Sequence, residues 1–167
     1  KFLLSKFDKL KSFKYVFSSL IIKELSTLIR TKSLNKLNLN YLLSSNYKGI
    51  KISSFIFSLL SDYRLSANQV TLYTYWWMDE SIGLAYFKRT NPNVIAFSRC
   101  HGFDVYQERT PGKYLPLKPF TIKYLDRIFP ISDNSKKYIY STYLSSSNIL
   151  DKIKIFRLGV NDGILNL

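Results

Sequence analysis

The chain is poor in the residues that do metal, redox and disulfide chemistry. One cysteine, Cys100, excludes a disulfide within the chain, and one cysteine with one histidine cannot build a Cys/His zinc site. Cys100 has no second histidine to activate it, so it reads as a small core hydrophobe, and a reducing cytoplasm is the expected compartment. Acidic residues are scarce: 25 Lys and Arg face 11 Asp and Glu, a formal charge of +14. That balance favours polyanionic partners, either nucleic acid or an anionic membrane face. No run approaches the roughly 20 apolar residues of a membrane span. The first residues hold no signal-peptide hydrophobic region, and the missing initiator methionine leads us to expect an internal piece of a longer protein.

What is present is apolar patterning sufficient for one folded domain in 167 residues. Apolar positions between residues 13 and 29 (Phe13, Val16, Phe17, Leu20, Ile21, Leu25, Leu28) recur at three-and-four spacing and predict an amphipathic helix. A polar connection over 31–40 should follow. A second helix is expected from about Lys48 to Tyr63, carrying Ile52, Phe55, Ile56, Leu59 and Leu60. Acids before residue 68 are limited to Asp8, Glu24 and Asp62 among many lysines and arginines, so this first part could also rest on anionic lipid.

From Val70 the pattern changes. Residues 70–77 are β-branched and aromatic and read as a strand ending at Asp79 and Glu80, which sit where a helix N-terminus favours negative charge. Val94 to Phe97 is a short unbroken apolar run, the pattern of a strand covered on both faces. It leads into Ser98-Arg99-Cys100-His101-Gly102-Phe103-Asp104, which holds the only histidine. An apolar strand is also expected over 128–131, followed by the capping sequence Ser132-Asp133-Asn134-Ser135, and an alternating last strand over 152–157. A short helix should span 121–126 and another should carry Tyr138, Ile139 and Tyr143.

Four strands separated by crossover-length segments mark βαβ units, and the expected fold is α/β, a Rossmann-like parallel sheet flanked by helices. Residues 1–66 would form its helical part and 67–167 its βαβ part. Ligands in such sheets sit outside the carboxyl ends of the strands. Trp77, Asp79, Glu80, Arg99, His101, Gly102, Asp104, Ser132, Gly159 and Asn161 all fall at those ends and can line one crevice. The alternative for His101 and Asp104 is plain capping of backbone groups, and for Asp79 and Glu80 it is helix-terminus electrostatics.

The segments Tyr75-Trp-Trp-Met-Asp-Glu80, Ser98-Arg-Cys-His-Gly-Phe-Asp-Val-Tyr-Gln-Glu-Arg109, Phe129-Pro-Ile-Ser132 and Arg157-Leu-Gly-Val160 resemble, in order, the amino-terminal half of a family-4 glycosyltransferase of the bacterial surface-polysaccharide type. The resemblance implies a GT-B fold and sugar transfer with retention from a nucleotide sugar, with no metal or other cofactor. It implies that this domain holds a glycan or lipid-linked acceptor. The donor would bind through a carboxyl-terminal domain absent from these 167 residues, so this part alone should be inactive. By the same resemblance His101 would reach the donor sugar, Gly102 would permit close backbone approach, and Arg99 and Asp104 would shape the loop by charge-assisted bonds. A cytoplasmic enzyme held peripherally on the inner membrane face is the implied setting. A basic nucleic-acid-binding module is the competing reading, since cationic, aromatic-rich surfaces bind single strands. No helix-turn-helix, zinc-finger or RNP-like pattern supports it, and nucleic acid is not the expected partner.

Overall fold

The computed structural model describes residues 19–144 and 151–157. Two helices, α1 (Ser19–Arg30) and α2 (Lys36–Asp62), precede β1 (Thr71–Thr74), α3 (Asp79–Thr90), β2 (Ile95–Cys100), α4 (Lys118–Tyr124), β3 (Arg127–Pro130) and α5 (Asp133–Tyr143). The strands form one parallel sheet in the order β1-β2-β3, with Leu72 beside Ala96 and Ser98 beside Ile128. The chain is α/β, and its open three-stranded parallel sheet with helices packed on it is Rossmann-like.

Helix α3 is the centre of the packing. Ser81 through Phe87 are buried without a break, because one side of the helix meets β1 and β2 while another meets α2. A run buried all round the helix needs neighbours on several sides to hide it. The crossing with α2 is close because two glycines face it. A Cβ on Gly49 would come within 2.5 Å of Ile82 Cγ2, and one on Gly83 within 2.3 Å of Ile52 Cγ2.

Several expectations change at this level. Helix α2 starts at Lys36, well before Lys48, because Asn35 caps it by accepting a bond from the Asn38 amide at 2.9 Å. Its inner face uses polar and small residues, Asn38, Ser45, Asn46 and Gly49, with Leu42 and Ile56. Asn46 accepts from the buried Tyr86 hydroxyl, which burial pushes up to about 12. The expected stripe is therefore only partly inward: Phe55, Leu59 and Tyr63 are exposed. Helix α4 begins at Lys118 and ends at Tyr124, slightly earlier than its sequence pattern indicates. The residue 13–17 part of the first expected helix lies outside the described residues.

The β1 segment leaves the sheet after Thr74, so Tyr75 to Met78 form a bend. The expected fourth strand is reduced to a single parallel bridge, Ile153 to Ile128, continued by amide bonds from Lys154 to Ile128 and from Phe156 to Pro130. Among the described residues the sheet is covered on one face only. Ala96, Ser98 and Cys100 are buried on one side, while Ile95, Phe97 and Arg99 alternate onto a side that remains open among the described residues. Among the described residues no helix is long and apolar enough to cross a membrane.

Candidate functional site

The carboxyl ends of β1 and β2 meet in a buried clamp. Asp104, fully buried, accepts the Trp77 amide with Oδ2 at 2.8 Å and the His101 amide with Oδ1 at 2.6 Å. One carboxylate thus ties the bend after β1 to the loop after β2. Burial raises the Asp104 carboxyl pKa, and the two amides, with Lys118 nearby, oppose the rise.

Lys118, at the start of α4, is the cation beside this carboxylate. Its ammonium donates to the Trp77 carbonyl and lies 4.0 Å from the centre of the Trp77 ring, a cation–π contact in a water-excluded place. Burial lowers its pKa from 10.5 to about 8, against the pull of Asp104. Trp77 Nε1 donates to Thr121 Oγ1 at 2.8 Å, and that hydroxyl donates to the Lys118 carbonyl at 2.9 Å. Neither Lys118 nor Thr121 stands out in the sequence, because a lysine before Pro119 in a loop-like stretch carries no pattern that marks burial.

Outside the clamp stands His101, only 8% exposed. Its ring lies 4.8 Å from that of Tyr75 and 4.3 Å from that of Trp76, and Trp76 in turn lies 4.7 Å from Phe103. Trp76 and Phe103 are 40% and 45% exposed, so the rings form a rim open to solvent. Both imidazole nitrogens are buried and neither has a hydrogen-bond partner among the described residues. Its pKa falls below 6.5 chiefly through burial; Asp104 opposes the fall and Arg99 adds to it. The imidazole is therefore uncharged at neutral pH, with one nitrogen able to donate and the other to accept. Buried polar atoms are nearly always bonded, and an unbonded pair beside exposed aromatic rings suits a group that bonds a ligand.

The remaining expected site residues divide. Trp77 is fully buried and is a core residue instead of a lining one, because its amide, carbonyl and indole are all held by the clamp. Asp79 opens α3 and pairs with Lys48 of α2 at 2.7 Å, a structural bond. Glu80 is exposed in the first turn of α3. Arg99 makes no bond to Asp104; its Nη2 donates to the carbonyls of Phe156 and Arg157 at 3.2 and 3.3 Å. Gly102 has the Arg109 guanidinium over it, where a Cβ would lie 2.3 Å from Nη1. Ser132 caps α5, accepting the Ser135 amide at 3.2 Å. Gly159 and Asn161 lie outside the described residues. Cys100 is buried and its thiol pKa is pushed well up by burial, which disfavours a nucleophilic thiolate. No group of three or more His, Cys, Asp or Glu that could hold a metal ion occurs among the described residues.

The fold and site together define a Rossmann-like α/β domain with a neutral histidine in an aromatic rim at the carboxyl edge of its sheet. Comparison with protein-family models, with curated proteins and with solved structures returns no match.

Proposed function

We propose that this chain is the acceptor-side domain of a retaining glycosyltransferase, moving a sugar from a nucleotide donor to a glycan or lipid-linked acceptor in surface-polysaccharide synthesis. The observation that carries this reading is His101, nine-tenths buried at the end of β2 with both ring nitrogens unbonded among the described residues and aromatic rings beside it. Exposed aromatic rings offer flat apolar faces to the C–H faces of a sugar, and a neutral imidazole can both accept from and donate to sugar hydroxyls. The ordered resemblance of residues 75–80, 98–109, 129–132 and 157–160 to family-4 enzymes supports the same class.

In this reading His101 is the catalytic residue of the domain, bonding a hydroxyl of the transferred sugar as its bond to the leaving phosphate loosens. The Asp104 clamp fixes the loop so that the imidazole keeps its direction. The nucleotide sugar binds through a separate domain, no metal takes part, and displacement occurs on the face from which the leaving group departs. Trapping a glycosyl adduct on a carboxylate of the protein would overturn that last step.

The test is His101→Ala in the intact protein, assayed for sugar transfer. Loss of a hydrogen-bonding catalytic group should lower turnover by about 100-fold or more, with an unchanged melting temperature. Unchanged turnover would refute the assignment. Peripheral attachment at the cytoplasmic membrane face is part of the proposal and draws on the basic first third and on α1, whose Ile22 and Ile29 are exposed. Flotation with anionic but not neutral vesicles is the expected result, and equal recovery from both removes the electrostatic argument.

A further inference from the structure

A complete parallel sheet hides both faces, and among the described residues one face here is open. Four aromatic rings run across it in sequence: Tyr73 to Phe97 at 5.2 Å, Phe97 to Phe129 at 5.6 Å, and Phe129 to Phe156 at 6.0 Å. The register dictates the row, because Tyr73 pairs with Phe97 and Phe129 stands beside Arg99 on the next strand. With Arg99 these rings line a groove of about 320 Å³. That is the size of a small-ligand site.

Among the described residues Arg99 is the only charged one lining the groove, and it has no carboxylate partner there. Its Nη2 is engaged by two carbonyls, but its Nε is buried without a partner among those residues. The guanidinium lies 5.0 Å from the Phe156 ring centre and 6.0 Å from that of Tyr75. Tyr75 also packs on His101, so Arg99 and His101 share a ring neighbour. An apolar cover alone would leave this cation unpaired and its Nε unbonded, which is costly.

The geometry points to a second carbohydrate subsite on this open face, one that takes an anionic sugar, a hexuronate or a sugar phosphate. The sugar ring lies on the aromatic row and its carboxylate or phosphate pairs with Arg99, whose planar fork suits either anion. The inference rests on the acceptor reading and deepens it: the acceptor would extend from His101 along the sheet face, with its acidic unit at Arg99.

The test is a binding series with the whole chain, followed by NMR shift titration, using glucuronic acid, glucose 6-phosphate, methyl glucoside and inorganic phosphate. At least one acidic sugar should bind tenfold or more tightly than both methyl glucoside and inorganic phosphate, and which of the two acids binds better identifies the anion. Arg99→Gln should bring the acidic sugars to the neutral level, and Phe156→Ser, at a residue 59% exposed, should weaken all the sugars alike. Equal binding of acidic and neutral sugars overturns the inference, as does inorganic phosphate binding as tightly as the sugar phosphate. So does binding of none of the four, the result if the protein's own termini or a second copy occupy this face. The series needs no turnover: its failure leaves the His101→Ala test standing, and unchanged transfer by His101→Ala leaves the binding result standing.

Discussion

Lys118 gives the sharpest quantitative handle on the clamp. Its ammonium is fully enclosed between Trp77 and Asp104, and burial holds its pKa at about 8 against 10.5. Between those two values the unfolded chain binds more protons at this lysine than the folded protein does. Stability contributed by Lys118 therefore rises with pH across that window. Integrated from pH 8 to 9.5, the gain is about 1.5 kcal/mol for one such group. Cys100 acts in the opposite sense, since its raised thiol pKa means the unfolded chain loses that proton first. Its folded thiol stays protonated with or without the lysine, so the comparison with Lys118→Met isolates the lysine. Stopping at pH 9.5 keeps the assay below the ordinary tyrosine range, where buried Tyr86, Tyr114 and Tyr143 would add their own losses. Urea unfolding of both proteins at pH 8 and 9.5 should show the native protein gaining about 1.5 kcal/mol over Lys118→Met as pH rises. A difference that does not change with pH would refute the enclosed, displaced ammonium.

Further outcomes follow from the same geometry. Asp104→Asn replaces one acceptor with a donor that faces an amide N–H and removes the charge opposite Lys118, so it should cost about 3 kcal/mol in urea unfolding. Gly83→Ala forces a methyl group into Ile52 and should lower stability by about 1–3 kcal/mol at unchanged m-value. His101 should titrate below 6.5 by NMR, so its contribution to stability is lost as pH falls from 6.5 through the folded value. Arg99→Gln should move that titration upward, because Arg99 disfavours the imidazolium, and no movement would show the two groups to be uncoupled.

The β2 strand and its loop were legible because both signals are local: a short apolar run and an abrupt polar cluster around one histidine. The capping sequence at Ser132 was legible for the same reason, since its side chain bonds an amide three residues on. Features decided by distant partners were not. The polar stretch before Lys48 reads as a connection, yet Asn38 is buried because its amide donates to carbonyls at Ser33 and Gly112. Gly49 falls inside the expected second helix with no local sign of its role, and is the point where two helices touch. Residues 75–78 have the composition of a strand and leave the sheet where Asp104, far along the chain, captures the Trp77 amide. Trp77 looks like a cleft residue from its position and is a core residue by its bonds. Nothing local in Leu117-Lys118-Pro119 announces a lysine enclosed beneath a tryptophan.

The unbroken burial of Ser81 through Phe87 means that α3 belongs to two interiors at once, one shared with α2 and one shared with the sheet. Neither can open without exposing the same helix to water. The helical layer and the strand layer should consequently exchange their amide protons as a single cooperative unit, with α3 the slowest segment. A variant that loosens the α2 crossing at Gly49 would be felt on the far side of α3, in the strands that hold His101 in place.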